Sequence, residues 1–120
     1  MSTVSGLLVK VDGSIDLVQV DNGDLAPVRD LVGGWVETTF GDTWVAMFDE
    51  EGMLKGLTPN LSVFALMVAL GAPRGYVGDV VFFGVKGDQT TNVPVHLIEK
   101  AKEIGLLEAT RFLDYTGTSS

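Results

Sequence analysis

The chain contains no cysteine and a single histidine, His96. Disulfides, thiolate metal sites and cysteine nucleophiles are therefore excluded, and a zinc site of the usual His and Cys type cannot be assembled. A Ser-His-acid triad would have to use His96, whose helical phase puts it on a polar face beside Lys100 and marks it as an exposed surface residue. No apolar run reaches the roughly 20 residues of a membrane-spanning helix. The most apolar stretch, residues 61 to 72, is short and interrupted by Ser62. The amino terminus, MSTVSGLLVKVDGS, lacks a basic segment followed by a long apolar one, so no signal peptide is read. The expectation is a soluble intracellular protein with no membrane association and no cofactor.

Positive charge is also scarce. Eight Lys and Arg face 16 Asp and Glu, for a net charge of −8. Residues 1 to 60 hold ten acids and three bases, a net −7, whereas residues 61 to 120 hold six acids and five bases, a net −1. Such a field repels nucleic-acid phosphates and argues against direct nucleic-acid binding. Many of the acids fall in the turn-like words VDGS, DNGD, FGDT and DEEG, where Asp and Gly belong for backbone reasons. These clusters read as solvated turns; the alternative is an acidic half that mimics nucleic acid and captures a basic partner.

What the chain does have is the material of a core. At 120 residues, with 46% hydrophobic and 20% charged residues, it fits one compact domain, expected over residues 1–115 with a flexible tail at 116–120. The runs GLLVKV (6 to 11) and IDLVQV (15 to 20), joined by Asp12-Gly13-Ser14, predict a hairpin. Leu25, Val28, Leu31 and Val32 recur at helical spacing between a capping Asp24 and Gly33-Gly34. WVETTF (35 to 40) and TWVAMF (43 to 48) predict a second hairpin around Gly41-Asp42, and DEEG then turns the chain into a brief extended piece at 53 to 57. Residues 61 to 70 are apolar on nearly every face and predict a helix that is buried all round or lies between a sheet and a second surface.

GDVVFFGV (78 to 85) predicts a central strand, followed by a polar loop KGDQTTN and a helix opened by Pro94. LLEATRFLDY reads as a last strand or a docked helix. The expected fold is therefore α+β, an antiparallel or mixed sheet of five to six strands packed by two to three helices in the order ββαβββαβα.

Two places could carry function. KGLTPN (55 to 60) leads into a helix, so the helix dipole and free amides could attract an anion beside Lys55, with Gly56 permitting close approach and Arg74 contributing if the fold doubles back. A nucleotide site there would need Lys55, Arg74 and Lys86 to converge. The structural alternative is that Thr58, Pro59 and Asn60 are only a good helix start, with Pro59 holding Thr58 extended and Asn60 as N-cap. The glycines of GAPRGYVGD (71 to 79) follow a helix and enter a strand, the wrong polarity for a phosphate loop. The second place is the aromatic and acidic set Trp35, Trp44, Asp49, Glu50 and Glu51. Trp35 and Trp44 are expected to pair across strands and either fill a core or form a platform, with core the expected role. The three consecutive carboxylates point apart, so no metal site is expected.

The succession LLVKVDGSIDLVQV, LVGGWVETT, FDEEGMLKGLTPN and GYVGDVVFFG, over residues 5 to 86, resembles the small proteins of the domain-of-unknown-function family 3846. Gly56, Leu57, Pro59, Asn60, Gly78 and Asp79 match that family's pattern. The resemblance implies a phage accessory protein working in the host cytoplasm and supplies no catalytic residues. The function expected is a non-enzymatic protein that binds a host or phage protein and forms a homo-oligomer; the alternative is a binder that sequesters an anionic nucleotide-type ligand after KGLTPN.

Overall fold

A computed structural model describes residues 3–21 and 24–104. The element expected in 106–115, the tail at 116–120 and the centre of the DNGD turn lie outside the described residues. The chain runs β1 (Thr3–Val9), β2 (Ile15–Asp21), α1 (Ala26–Val32), β3 (Val36–Phe40), β4 (Trp44–Asp49), α2 (Gly52–Lys55), α3 (Leu61–Ala69), β5 (Val80–Lys86), β6 (Gln89–Thr91) and α4 (Val95–Glu103). The strands form one antiparallel sheet in the order β2-β1-β5-β4-β3, with β6 pairing the far end of β5. The fold is α+β, with β5 central as its unbroken apolar run predicts.

Both sheet faces are covered, which explains why β4 is buried at every position instead of alternating. On one face Leu7, Trp44, Phe48 and Phe82 pack with Val63, Leu66 and Met67 of α3 and Leu97 and Ala101 of α4. On the other, Leu8, Val45, Met47, Val81 and Phe83 pack with Val28 and Val32 of α1. The period-2 alternation of β-strands sorts neighbouring residues between the two cores. Trp44 belongs to the first, edge-on to Phe82 with ring centroids 5.9 Å apart.

Two local expectations change. Residues 52–55 form the single turn α2 where an extended piece was expected, so the second hairpin is not followed by a third strand. Part of the polar loop is instead the short strand β6, turned back by Gly87 in a left-handed conformation and paired through Lys86↔Gln89. Alternation cannot reveal a three-residue strand.

The joint between α3 and the sheet is made by Asn60, which is almost fully buried. Its Oδ1 accepts from the Val63 amide at 3.0 Å and caps α3, while its Nδ2 donates to Val9 O at 3.0 Å and Gly78 O at 2.9 Å. The Asn60 amide donates to Tyr76 O, Gly78 donates to Thr58 O, and Pro59 bridges Val77, so the stretch before α3 pairs with the lead-in to β5. Asp79 extends the joint by accepting from the Val11 amide at 3.0 Å.

This geometry predicts that Asn60→Ala lowers the free energy of unfolding by about 3 kcal/mol, through the loss of the cap and of two buried hydrogen bonds to Val9 O and Gly78 O. Asn60→Asp keeps the cap oxygen but sets a carboxylate against both carbonyls, so it destabilises at least as much. Urea unfolding would register both as a lower midpoint with unchanged slope; an unharmed Asn60→Asp would show that only the cap matters.

Candidate functional site

Of the residues singled out in sequence, Trp35, Asp49, Glu50, Glu51 and Lys55 meet at the corner where β4 passes into α2. Strand parity aims Asp49 toward the α1 side, and its carboxylate is buried there. Lys55, one turn later, reaches back to it: Nζ lies 2.7 Å from Asp49 Oδ2 and donates also to Gly33 O at 3.1 Å. Asp49 Oδ1 accepts from the Glu51 amide at 2.9 Å. Burial pushes the Asp49 carboxyl up, but the Lys55 hydrogen bond, the Glu51 amide and the Lys55 charge together outweigh it, and the group is held below the usual carboxylate range.

Gly33 and Gly34 make this pair possible. Gly33 ends α1 at φ +92°, a left-handed cap that leaves its carbonyl to Lys55. A Cβ on Gly34 would lie 2.7 Å from Lys55 Nζ and 2.8 Å from the Asp49 oxygens, so only glycine lets the chain pass over the ion pair. Sequence reasoning assigned these glycines to helix termination alone; nothing local marks Gly34, because the groups it accommodates come from 15 and 21 residues further along.

Two clefts flank the corner. One, of about 520 Å³, is lined by Arg29, Gly33, Gly34, Trp35, Glu51 and Lys55 among others. Trp35 is 63% exposed, and the Arg29 guanidinium lies over its ring, 4.8 Å from the centroid. Arg29 was not singled out from sequence, although the Gly33-Gly34 reversal is the signal that folds the next residue back over the last turn of α1. The other cleft, of about 460 Å³, is lined by Glu37, Phe48, Glu50, Met53, Arg74 and Tyr76 among others. There Arg74 lies 5.6 Å from the Phe48 centroid and 5.0 Å from that of Tyr76, and donates to Thr39 Oγ1 at 2.8 Å. The Tyr76 hydroxyl is buried, and no described group hydrogen-bonds to it.

Several expected site residues play other parts. Lys55 turns away from the start of α3 to pair with Asp49. Asn60 satisfies Val63 itself and is buried, so it presents no side chain to a ligand. Gly56 is needed for its left-handed φ of +70°, which caps α2, and a Cβ there would meet open space. Thr58 contributes a backbone carbonyl to the joint. Lys55 and Arg74 line different clefts and Lys86, in the β5–β6 hairpin, lines neither, so the three bases do not converge.

Trp35 and Trp44 do not form a platform. Trp35 precedes β3 beside Glu50, at one end of the hairpin, and buried Trp44 closes the other. Trp44 and Asp49 are removed from the expected contact surface by burial, whereas Trp35, Glu50 and Glu51 remain on it. His96 is exposed as expected, 3.3 Å from Thr43 Oγ1. Among the described residues, no group of three His, Cys, Asp or Glu is placed to hold a metal ion.

Because the folded Asp49 carboxyl titrates below its unfolded value, its contribution to stability is present above about pH 4 and is lost as pH falls through the folded value. Lys55→Met removes two of the three lowering influences and leaves a buried carboxylate. It should destabilise by about 1–3 kcal/mol at pH 7, discounted for the partial exposure of Lys55, and the deficit should narrow as Asp49 is protonated. Thermal unfolding of both proteins at pH 7 and pH 4 checks this, and a deficit independent of pH would assign Lys55 a packing role only. Tyr76→Phe should change stability by less than about 0.5 kcal/mol or raise it slightly, since it deletes a buried hydroxyl without a partner.

No curated protein and no solved structure matches the chain. Pro59, Asn60, Gly78 and Asp79 build the joint between α3, β1 and β5, whereas Gly56 caps α2. Over residues 4–105, the great part of the described fold, the chain matches the family described as Domain of unknown function (DUF3846), and it belongs to that family.

Proposed function

We propose that this protein is a non-enzymatic phage accessory protein that works in the host cytoplasm by binding another protein, and that the β4–α2 corner is its contact surface. The observation that carries the reading is an indole 63% exposed and held in place by a stacked guanidinium, next to a turn whose Leu54 is 88% exposed and whose Met53 is also exposed. Trp, Met and Arg are the residue types enriched in protein interfaces, and rigid aromatic anchors carry much of their binding energy. Trp35, Met53 and Leu54 thus put three large apolar side chains in water at one corner.

The surroundings suit a partner with a basic rim. Asp30 and Glu51 border one cleft and Glu37 and Glu50 the other, while Lys55 is committed to Asp49 and Arg74 to Thr39 and two aromatic rings. Glu51 and Lys55 lie one turn apart on one side of α2, and Glu50 and Met53 lie on the other, so a single partner could straddle the turn with a side chain in each cleft. The ligand-binding alternative at the start of α3 has less support, since the lysine it relied on faces the other way.

The tagged full-length protein should retain a host or phage protein from lysate, with crosslinks mapping to the corner. Trp35→Ala and Leu54→Glu should each reduce that retention at least about tenfold, a loss typical of a truncated anchor, with unchanged far-ultraviolet circular dichroism. The control Leu17→Glu on β2 should bind as the wild type does. Equal retention by all four proteins would remove the corner from consideration.

A further inference from the structure

A second surface calls for a separate explanation. Helix α3 buries Val63, Leu66 and Met67 in the core, yet its outer face is apolar as well: Leu61 is 76%, Phe64 46% and Val68 50% exposed, with Ala65 exposed between them. Among the described helices it alone carries no charged residue. It lies within an uninterrupted uncharged run from Gly56 to Pro73. A helix that is apolar all round is ordinarily covered on all sides.

We infer that the outer face of α3 is the contact of a two-fold dimer of this chain. Each copy carries a net charge of −8, so two copies repel across most of their surfaces and can meet closely only where charge is absent. The outer face of α3 is such a place. Its spacing is also self-complementary: in an antiparallel crossing centred on Phe64 and Ala65, Leu61 of one copy falls against Val68 of the other, seven residues or about 10.5 Å along the helix. Ala65 at the crossing point permits the close approach of two helix axes. A membrane surface is a poorer occupant, because interfacial helices present Lys or Arg on their polar side and α3 has none.

A contact built on one nine-residue helix covers less than the roughly 1,200 Å² of a standard stable interface, so the dimer should be weak, with a dissociation constant on the order of micromolar. Because screening relieves repulsion between like-charged copies, added salt should tighten it, the reverse of an ion-paired interface. The inference is independent of the partner surface proposed above, which lies on the β4–α2 corner.

Sedimentation equilibrium of the full chain across the micromolar range should show a monomer–dimer equilibrium strengthened by salt. Phe64→Glu and Val68→Glu should each weaken it at least about tenfold, as expected for a charge placed in a small apolar contact. Ala65→Cys gives a milder reading, since the chain has no cysteine of its own. Mild oxidation should convert it to a disulfide-linked dimer, whereas Lys86→Cys should remain monomeric under the same conditions. A wild-type chain that is monomeric throughout the range, a dimer untouched by both glutamate variants, or a monomer that sediments with phosphatidylglycerol vesicles would each overturn the inference.

Discussion

Three parts of the chain meet at the side chain of Asn60: the end of β1 through Val9, the entrance to β5 through Gly78, and the first turn of α3 through Val63. A buried amide can join them because it carries both donors and an acceptor, and so meets buried backbone carbonyls and a backbone amide at once. The position of α3 over the sheet follows from this contact, as does the pairing of residues 58–60 with 76–78. The same contact accounts for the start of α3 without an anion, since the oxygen that meets the Val63 amide belongs to the protein.

The adjoining corner, where β4 passes into α2, is organised by a charge. Asp49 ends a strand buried at every position, and its carboxylate is tolerable there because Lys55 and the Glu51 amide supply donors. That requirement shapes its neighbours. Gly34 must lack a side chain for the chain to cross the pair, Gly33 must turn left-handed to end α1 and present its carbonyl, and the reversal places Trp35 outside, under Arg29. The exposed indole thus follows from how a buried carboxylate is neutralised, with the Arg29 guanidinium lying over its ring.

Charge is distributed unevenly over the remaining surface. Five of the ten acids of residues 1–60, Asp30, Glu37, Asp49, Glu50 and Glu51, line the clefts at the β4–α2 corner, while the run that forms α3 is uncharged. The two surfaces consequently differ in chemistry: the corner joins acidic groups to exposed apolar ones, whereas the outer face of the helix is apolar and uncharged.

Much of the fold was legible in the sequence, because periodicity is a local property. Two hairpins with Gly-containing turns, the helix between Asp24 and Gly33, the cap at Asn60 and the central strand in GDVVFFGV each follow from spacing and turn chemistry within a few residues. The exceptions are short: α2 is a single turn and β6 three residues, too brief for a period to declare itself.

The candidate site was legible only in its members. Sequence singled out Lys55, Asp49, Trp35 and Arg74, but it grouped Lys55 with a helix start and Trp35 with Trp44. The tertiary structure paired Lys55 with Asp49, placed the two tryptophans at opposite ends of one hairpin, and brought in Arg29 and Gly34. The physical reason is that hydrophobic pattern determines which face of an element is buried, whereas the partner of a buried charge and the exposure of an indole depend on which distant backbone lies alongside. Only the packed chain decides that.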